Sequence, residues 1–580
     1  MIWTSLLQGV TSSLLFSQLA ATAALPSCNT PSNRACWVTG YDINTDYETK
    51  TPTTGVTRSY TLTVTEQDSW VGGDGVAKSN AMLINNQFPG PVITADWGDI
   101  IQITVVNRLT YNGTSFHWHG IRQLNNNIND GASGITECPI PPQSSKVYAF
   151  KAEQYGTSWY HSHTGVQYTN GVTGSIVING PASLPYDIDL GAYPISDWYY
   201  GAADTIVENI ATTPGGVPPP SSNVLFNGSN VNAAGTSGKY NVVTLTPGKR
   251  HRLRLINPST DSSFTVSLVG HSMTVIETDF VPVNAFTTSS IFMGIGQRYD
   301  VTIDASQASG SYWFNVTYSG TGACGASSNP YPASIFRYSG APAVLPNNTG
   351  TAPPDSLCAD PTGFVPVVTR TASLAQFTPI PDNLNVTFDD TPNPTIFWNV
   401  NGNSMKITWG QPTLQYVLNG STNYPVRENV VSVTSANVWS VWLITNLTPV
   451  PHPMHLHGHD FLILGASPAL ASPFAPNQQR LFDPNVDTAA LSLSNPRRRD
   501  VTMLPSQGWL ALAFLTDNPG AWLFHCHIAW HVSSGLSVQY LERVQDIPGA
   551  MNLNAITPNC KNWNNYYPAN DPFLPYGSGI

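Results

Sequence analysis

The 580-residue sequence predicts a mainly β protein built of repeated Greek-key sandwiches. Strand-forming Val, Thr, Tyr, Phe and Trp are frequent, and 46 Gly and 47 Pro residues separate short apolar runs. Long stretches with the 3.6-residue apolar period of a helix are hard to find. The chain is too long for one core, and ~100 to 200 residues per domain predicts three or four domains.

Internal repeats support this domain count. An apolar strand that closes on Asn occurs three times, at residues 100–107, 252–257 and 438–446. A second phrase, Gly followed by aromatic residues and a possible metal ligand, recurs at 156–163, 310–317 and 520–527. The middle copy has Asn315 and Thr317 where the outer copies have His, so any metal ligands belong to the first and third repeats. The middle repeat would then separate the outer repeats and line the space between them without supplying ligands.

The repeats and the composition between them set the expected segments. Repeats of roughly 150 residues made of short alternating strands are typical of Greek-key sandwiches. The Pro- and Ser-rich stretch from Pro342 to Pro381 is the clearest linker. We expect a signal peptide at 1–23, an N-terminal segment at 24–54, sandwich domains at 55–182, 183–345 and 384–549, a linker at 346–383 and a C-terminal tail at 550–580.

The N-terminus resembles a secretory signal. No charged side chain occurs before Arg34, and residues 6–24 are mostly apolar with small residues near their end. A membrane anchor is the alternative, but polar residues and a glycine interrupt the apolar stretch. Asn-x-Ser/Thr sites also favour export and N-linked glycans. The seven sites are Asn112, Asn227, Asn315, Asn347, Asn385, Asn419 and Asn446.

Charge excludes two classes of partner. Charged residues make up 10% of the chain and the net charge is -11, so the sequence has no basic patch for nucleic acid or an anionic membrane. We therefore expect neither partner, and we expect a monomer. Small molecules remain the expected partners.

The cysteine count agrees with export. There are seven cysteines, and an odd number in a secreted protein requires one with another role. Cys526 is the natural candidate, because it lies between His525 and His527. The other six allow 15 pairings into three disulfides. They are Cys28, Cys36, Cys138, Cys324, Cys358 and Cys560.

Ten of the 13 histidines fall in four short clusters, which is the main functional signal of the sequence. The clusters are His117 with His119, His161 with His163, His452 with His455 and His457, and His525 with His527 and His531. Each cluster contains a His-x-His step, which on a strand presents both rings on one face. A single His-Cys-His would favour metal binding only weakly, but four such clusters together indicate metal centres.

The His525-Cys526-His527 tripeptide lets two metal centres share one strand. Side chains alternate across an extended chain, so the two imidazoles point one way and the thiolate the other. The backbone between the two centres then spans on the order of 10 Å. Such a connection is suited to electron transfer.

Ligand chemistry assigns the two centres. Two imidazoles and one thiolate are typical of an electron-transfer blue copper, and His452, Cys526 and His531 fit that set. Leu536 lies at the expected axial position and cannot coordinate, which favours Cu(I) and a high potential. The remaining eight histidines suit three coppers better than one. Because half come from each outer repeat, we expect this cluster at the interface of those repeats.

These motifs resemble the multicopper oxidases, and among them the ascomycete-type fungal laccases. His-Trp-His-Gly, Tyr-His-Ser-His, His-Pro-Met-His-Leu-His-Gly and His-Cys-His-Ile-Ala-Trp-His are all present, and the resemblance covers essentially the whole mature chain. It implies three cupredoxin domains, secretion and four copper ions. The implied reaction is one-electron oxidation of small phenolic or aromatic substrates at a type 1 copper. Four electrons would then reduce dioxygen to water at a trinuclear cluster.

The resemblance also implies individual ligands and disulfides. His117 and His455 would bind the type 2 copper. The type 3 pair would be bound by His119, His161, His163, His457, His525 and His527. The implied disulfides are Cys28 with Cys36, Cys138 with Cys560, and Cys324 with Cys358.

Two carboxylates are candidates for proton transfer. Asp261 lies where related laccases place an acid that receives the phenol's proton, and the alternative is an ordinary loop Asp. Asp130 resembles the family acid near the trinuclear cluster, but Asp130-Gly131 is also a common turn.

The C-terminus departs from the family pattern. Similar laccases end in Asp-Ser-Gly and an aliphatic residue that plug a solvent channel, whereas this chain ends Gly577-Ser578-Gly579-Ile580. The acid is missing, so a plug would depend on Ile580 and its carboxylate, and a frayed terminus is the alternative.

Other functions share the copper framework. A ferroxidase often carries an anchor and an ascorbate oxidase an axial Met, whereas Leu536 and Asp261 favour a laccase. A non-catalytic copper-binding protein is the alternative outside the enzymes, but it has no need for two linked sites.

Overall fold

The computed structural model describes residues 27–213, 216–377, 383–389, 397–567 and 577–580. It is mostly β, with paired Greek-key sheets in each repeat, which confirms the predicted fold class. The predicted signal peptide at 1–23 lies outside the described residues. Within the described ranges, no helix is long and apolar enough to cross a membrane.

The first repeat contains ten strands. They are β1 (Cys36–Val38), β2 (Tyr41–Asp42), β3 (Thr57–Val71), β4 (Ala77–Ile84), β5 (Gly90–Asp96), β6 (Ile100–Asn107), β7 (Phe116–Trp118), β8 (Ser145–Lys151), β9 (Gly156–Ser162) and β10 (Thr173–Asn179). Its two four-stranded sheets have the orders β4-β3-β6-β8 and β5-β10-β9-β7. In β6, Ile101, Ile103 and Val105 are fully buried and alternate with more exposed residues, as a half-buried strand requires.

The middle repeat contains eleven strands and one helix. They are β11 (Ile188–Trp198), α1 (Ala203–Thr212), β12 (Asn223–Phe226), β13 (Val242–Leu245), β14 (Arg250–Ile256), β15 (Phe264–Leu268), β16 (Met273–Thr278), β17 (Val281–Thr288), β18 (Ser290–Met293), β19 (Arg298–Asp304), β20 (Ser311–Thr317) and β21 (Ala333–Tyr338). The strand orders are β12-β11-β14-β19-β16-β17 and β13-β21-β20-β15-β18.

The third repeat has the same two-sheet topology. Its elements are β22 (Asn383–Asp389), β23 (Phe397–Val400), α2 (Thr413–Leu418), β24 (Val430–Val433), β25 (Trp439–Asn446), β26 (His452–Leu456), β27 (Phe461–Ala466), β28 (Arg497–Arg499), β29 (Val501–Leu504), β30 (Trp509–Leu515), β31 (Gly520–Cys526), α3 (Ala529–Ser533) and β32 (Ser537–Glu542). The orders β23-β22-β25-β30-β27-β28 and β24-β32-β31-β26-β29 match those of the middle repeat strand for strand. Strands β20 and β31 therefore occupy equivalent places, as the repeated sequence phrase predicts.

Every residue of β31 is buried because both faces of the strand are covered. Trp522, Phe524 and Cys526 pack into the core of the third repeat. Ala521 and Leu523 point the other way, into an apolar cluster shared with Ala132 and Ile135 of the first repeat and with the C-terminal tail. The strand thus lies at the interface of the outer repeats, with Cys526 on one face and His525 on the other.

The C-terminal tail and the segment at 342–377 pack against the repeats. The tail contains α4 (Ile547–Ala550) and α5 (Thr557–Tyr566), so the longest described helices have ten residues. Residues 342–377 are described without a strand of their own and make isolated bridges, such as Thr371 with Ser494. The proposed domain bounds stay predictions.

The disulfides implied by the resemblance are confirmed. Cys28 pairs with Cys36, Cys138 with Cys560 and Cys324 with Cys358. Cys526 is free and buried. The Cys138–Cys560 bond joins residues 422 positions apart and fastens the tail to the first repeat.

The seven glycosylation motifs differ in exposure. Asn112, Asn227, Asn347 and Asn419 are exposed, and Asn315 and Asn385 are half-buried. Asn446 is fully buried, and its side-chain amide donates to the carbonyl oxygens of Val450 and Pro505 at 2.7 and 2.9 Å. Its amide is therefore committed to the fold, so the Asn446 motif does not present a surface site for a glycan.

Candidate metal centres

The first centre joins the end of β31, the start of β26 and helix α3. The Cys526 sulfur lies 3.5 Å from His452 Nδ1 and 3.7 Å from His531 Nδ1, and the two nitrogens are 3.2 Å apart. His452 Nε2 lies 3.2 Å from the Thr448 hydroxyl, which holds the ring with Nδ1 toward the sulfur. The structure therefore brings together the three residues that the sequence grouped.

This centre has the electrostatics of a metal site. Burial lowers the pKa of His452 to about 3, so the imidazole is neutral and free to act as a ligand. Burial also raises the pKa of the Cys526 thiol. A thiolate among neutral imidazoles in an apolar core needs a bound cation to compensate its charge. Leu536 is fully buried in the same core cluster as Cys526, and it offers no ligand atom.

The second centre lies between the outer repeats. Its eight histidines are buried and come from β7, β9, β26 and β31 or the residues that follow them: His117, His119, His161, His163, His455, His457, His525 and His527. Strand register aligns His117 with His161 and His455 with His525. The two pairs of strands face each other, so that the His119 and His455 rings stack with centroids 3.9 Å apart.

Several ring nitrogens of this cluster are buried without a partner among the described residues. They are His119 Nδ1, His161 Nε2, His163 Nδ1 and both nitrogens of His527. Burial lowers the pKa of these four imidazoles, so they are neutral. Buried nitrogens without hydrogen bonds are costly unless a cation binds their lone pairs. The chemistry of this donor set fits copper.

Asp130 orients two rings of the cluster. His457 Nδ1 donates to the Asp130 carboxylate at 2.8 Å, and His117 Nδ1 donates to the Asp130 backbone oxygen at 2.9 Å. Both rings therefore turn Nε2 inward, where His117 Nε2 lies 3.4 Å from His455 Nε2. An outer hydrogen bond of this kind fixes the tautomer and orientation of a ligating imidazole.

Asp500 is a second carboxylate at the cluster, which sequence reasoning missed. His119 Nε2 donates to Asp500 Oδ1 at 3.1 Å, and His455 Nδ1 donates to the Asp500 backbone oxygen at 2.8 Å. Asp500 follows three arginines in the sequence and so resembles part of a charged surface run. A run of four charged residues is unusual in a chain with so few charges, and this was the signal that could have indicated Asp500.

Family models match most of the chain. Three models, each described as multicopper oxidase, match residues 54–183, 191–341 and 389–546. The chain belongs to the multicopper oxidase family. Copper is accordingly its cofactor, in agreement with the ligand chemistry of both centres.

Two of the proteins that the chain resembles are laccases. This multicopper oxidase is 55% identical to Laccase-1 of Melanocarpus albomyces, over 96% of this chain and 90% of the relative. It is also 55% identical to a laccase of Cryphonectria parasitica, over 96% of this chain and 94% of the relative. These similarities support a laccase-type oxidase.

Solved structures give the same fold. The laccase from Botrytis aclada is 37% identical and superposes with a TM-score of 0.86, covering 96% of this chain and all of that chain. Fet3p, a multicopper oxidase that functions in iron import, is 25% identical with a TM-score of 0.77, covering 88% and 94% of the two chains.

Asp261 of this multicopper oxidase lies on a loop between β14 and β15. The buried Asp197 carboxylate accepts hydrogen bonds from the backbone N–H groups of Thr260, Asp261 and Ser262, at 2.7 to 3.1 Å. The Thr260 carbonyl in turn accepts from the N–H of Ala529 in α3 at 2.8 Å, which places the loop beside the helix that carries His531. Sequence reasoning did not find Asp197, whose only local signal is a polar residue within a buried strand.

A tryptophan was also missed at the first centre. The centroid of the Trp398 ring lies 4.1 Å from that of the His531 ring. It lies 5.0 Å from that of the His452 ring, which Trp398 meets edge-on. It comes from β23, more than fifty residues before His452, so no local spacing connects it to the other residues.

The last residues of the chain reach the histidine cluster. Ile580 is buried and lines a cavity together with His161, His163, His525 and His527. The Gly579 carbonyl accepts from Trp409 Nε1 at 2.7 Å, and the Ser578 hydroxyl donates to the Val532 carbonyl at 2.8 Å. The tail end is therefore ordered against the cavity and is not frayed.

Proposed function

We propose that this protein is a secreted laccase that oxidises small phenolic or aromatic substrates and reduces dioxygen to water. The observation that carries the proposal is the continuity of the two centres through His525, Cys526 and His527, with one thiolate at one centre and eight imidazoles at the other. A storage protein would need no such link. Phenol-dependent dioxygen uptake by the copper-loaded protein tests the proposal.

The proposed ligands divide into three groups. His452, Cys526 and His531 would hold a type 1 copper, with Leu536 as an axial residue that does not coordinate. His117 and His455 would hold the type 2 copper. The type 3 pair would be held by His119, His161, His163, His457, His525 and His527. Four copper ions, when bound, would supply one-electron oxidation at the first centre and four-electron reduction of dioxygen at the second.

The polypeptide itself provides a short route between the centres. Cys526 is bonded through its backbone to both His525 and His527, and its carbonyl accepts a hydrogen bond from His525 Nδ1 at 2.9 Å. The Cys526 N–H donates to the Leu536 carbonyl at 3.1 Å, which ties the end of β31 to the residue just before β32. Apolar packing around Cys526 keeps water away from the thiolate.

Asp261 is proposed to accept the phenol's proton. Burial raises the pKa of Asp261 to about 7, and the Asp197 carboxylate adds to the shift. Since only the ionised carboxylate accepts a proton, its contribution is present above a pH of about 7 and is lost as the pH falls through that value.

Replacing Asp261 with Ala should therefore slow phenol oxidation most at high pH. We expect a loss on the order of 100-fold when the carboxylate of the wild type is ionised, shrinking toward none at low pH. The pH profiles of kcat/KM for wild type and variant measure this loss.

Ferrocyanide, which releases no proton on oxidation, is the control substrate. Its oxidation rate should be the same in the wild type and in Asp261→Ala at every pH. Asp261→Glu should restore part of the phenol rate. Equal phenol rates at every pH would leave Asp261 as a loop residue.

The C-terminal residues are proposed to close the cavity at the histidine cluster. Deleting residues 577–580 removes Ile580 from the cavity, together with the Gly579 carbonyl that accepts from Trp409 Nε1. We expect faster removal of copper from the cluster by a chelator and a changed rate of reoxidation by dioxygen, with the blue absorption retained. Ser578→Ala is the matched control, because it loses the two hydrogen bonds of the Ser578 hydroxyl, to the Val532 carbonyl and from the Ile580 N–H, but keeps the Ile580 side chain. Unchanged chelation and reoxidation rates in the deletion variant would remove the plug.

Secretion and N-linked glycans complete the proposal. The apolar N-terminus, three disulfides and exposed glycosylation motifs support it. The acidic balance of the chain supports a monomer without nucleic-acid or membrane partners.

A further inference from the structure

The middle repeat, which offers no histidine to either centre, nevertheless touches the trinuclear ligand set. Gly296 lies just before β19 with φ +85°, and a Cβ at this position would come within 3.0 Å of His119 Cε1 and 3.2 Å of His527 Cδ2. The backbone therefore passes directly against two rings of the cluster. A side chain there would displace them.

Arg298, two residues later, projects from this segment into the interface of all three repeats. Its two terminal nitrogens each donate to one oxygen of Asp500, both at 2.6 Å. Its Nε donates to the backbone oxygen of Thr157 in β9 at 3.1 Å. The side chain is 1% exposed, so these hydrogen bonds form in a medium where water cannot replace them.

The pair is fixed by the surrounding backbone. Gly120, with φ +75°, lies against both the guanidinium and the Asp500 carboxylate, and any side chain there would collide with the pair. The N–H of Arg298 itself donates to Asp279 Oδ1 at 2.7 Å, which holds the start of β19. The orientation of the Asp500 carboxylate is thus set from the middle repeat.

Asp500 passes this orientation to His119. Asp500 Oδ1 accepts from His119 Nε2, which leaves Nδ1 as the ring nitrogen that faces the cluster without a partner among the described residues. His117, His455 and His457 show the opposite arrangement, because their Nδ1 atoms donate outward. His119 therefore needs a carboxylate at one particular place.

We propose that Arg298 is a positioning residue of the trinuclear centre, which acts by holding the Asp500 carboxylate where it accepts the Nε2–H of His119. The middle repeat then contributes to the copper site and does more than separate the outer repeats. The inference rests on the proposed copper sites. Its chemistry is specific to arginine, because a planar guanidinium can bind both carboxylate oxygens and the Thr157 carbonyl at once, whereas the single nitrogen of lysine cannot.

Arg298→Lys tests the inference, since it keeps the charge and removes the geometry. We expect copper affinity at the histidine cluster to fall by about 10- to 100-fold, the usual effect of losing an outer partner, while the blue absorption of the first centre persists. Copper per chain, measured after dialysis against graded chelator buffers, and the type 2 electron paramagnetic resonance signal are the readouts. Both are independent of turnover.

Arg252→Lys is the matched control. Arg252 is equally buried in the middle repeat and pairs with Asp300, but it contacts none of the eight histidines. It should lower the free energy of unfolding without shifting copper affinity. Equal shifts in the two lysine variants, or no shift in Arg298→Lys, would overturn the inference.

A second variant tests the route through Asp500. Asp500→Asn should reproduce the loss of copper affinity. The double variant that also carries Arg298→Lys should bind copper less than about threefold more weakly than Asp500→Asn alone. A full further loss in the double variant would show that Arg298 does not act through Asp500. If the Arg298→Lys chain does not fold, wild-type copper affinity in Asp500→Asn alone overturns the inference.

The outcomes also separate this inference from the proposed function. Wild-type protein that binds no copper would contradict the proposed function. Wild-type protein that loads both centres, together with an Arg298→Lys variant of unchanged affinity, would contradict only the role of Arg298.

Discussion

Replacing Cys526 with Ser should abolish phenol oxidation and leave the histidine cluster able to bind copper. Cys526 supplies the sulfur of the first centre and is joined through its backbone to His525 and His527 of the second. A serine hydroxyl is a harder and poorer ligand for copper than a thiolate, so the blue absorption should disappear. We expect turnover to fall by more than the ~100-fold that loss of an outer hydrogen bond costs.

Two measurements separate this effect from misfolding. The type 2 resonance signal and the copper bound by the eight histidines should persist in Cys526→Ser, because those rings lie on the opposite face of β31 and on other strands. Met454→Leu is the control, since Met454 lies opposite Cys526 in the sheet and the exchange conserves volume. A Cys526→Ser variant that still oxidises phenols would exclude Cys526 as the conduit.

Replacing Asp130 with Asn should slow reoxidation by dioxygen by about 10- to 100-fold and leave reduction by the phenol unchanged. The carboxylate accepts from His457 Nδ1, and an amide at this place can turn an N–H toward the ring instead of an oxygen. His457 would then lose the contact that directs its Nε2 to the cluster. Stopped-flow measurement of the two half-reactions distinguishes the steps.

Asp74→Asn provides the comparison for Asp130→Asn. Asp74 is fully buried and accepts from Tyr200 and from Asn223, at 2.8 and 3.0 Å, but it contacts no histidine of either centre. It should cost stability without changing reoxidation. Normal reoxidation in Asp130→Asn would leave Asp130 as a turn residue before Gly131.

The strand architecture was largely predictable because its signals are local. Alternation of side chains placed His525 and Cys526 on opposite faces of β31, and the structure shows this arrangement. The repeated Gly-aromatic phrase correctly equated β20 with β31, since both strands occupy the same place in identical sheet orders. The predicted domain and linker bounds stay predictions, because the sequence changes only gradually from coil to strand at those positions.

The histidines of the site were predictable, but their supports were not. Each His-x-His step is visible in the sequence, whereas Asp500 contacts His119 across 381 positions and Arg298 contacts Asp500 across 202. Such pairs depend on how three repeats dock, which no local period encodes. Asn446 shows the converse: a local motif predicts a surface glycan site, but tertiary packing buries it.

Dioxygen uptake by the copper-loaded protein, measured with a phenol, ferrous iron or ascorbate as donor, is the decisive test of whether the two linked centres work as a laccase. The two linked centres predict rapid uptake with the phenol, one dioxygen consumed for every four phenols oxidised, and no hydrogen peroxide. Ferrous iron and ascorbate should support slower uptake. A fully copper-loaded protein that takes up no dioxygen with any donor would contradict the oxidase function and leave a copper-binding protein without catalysis.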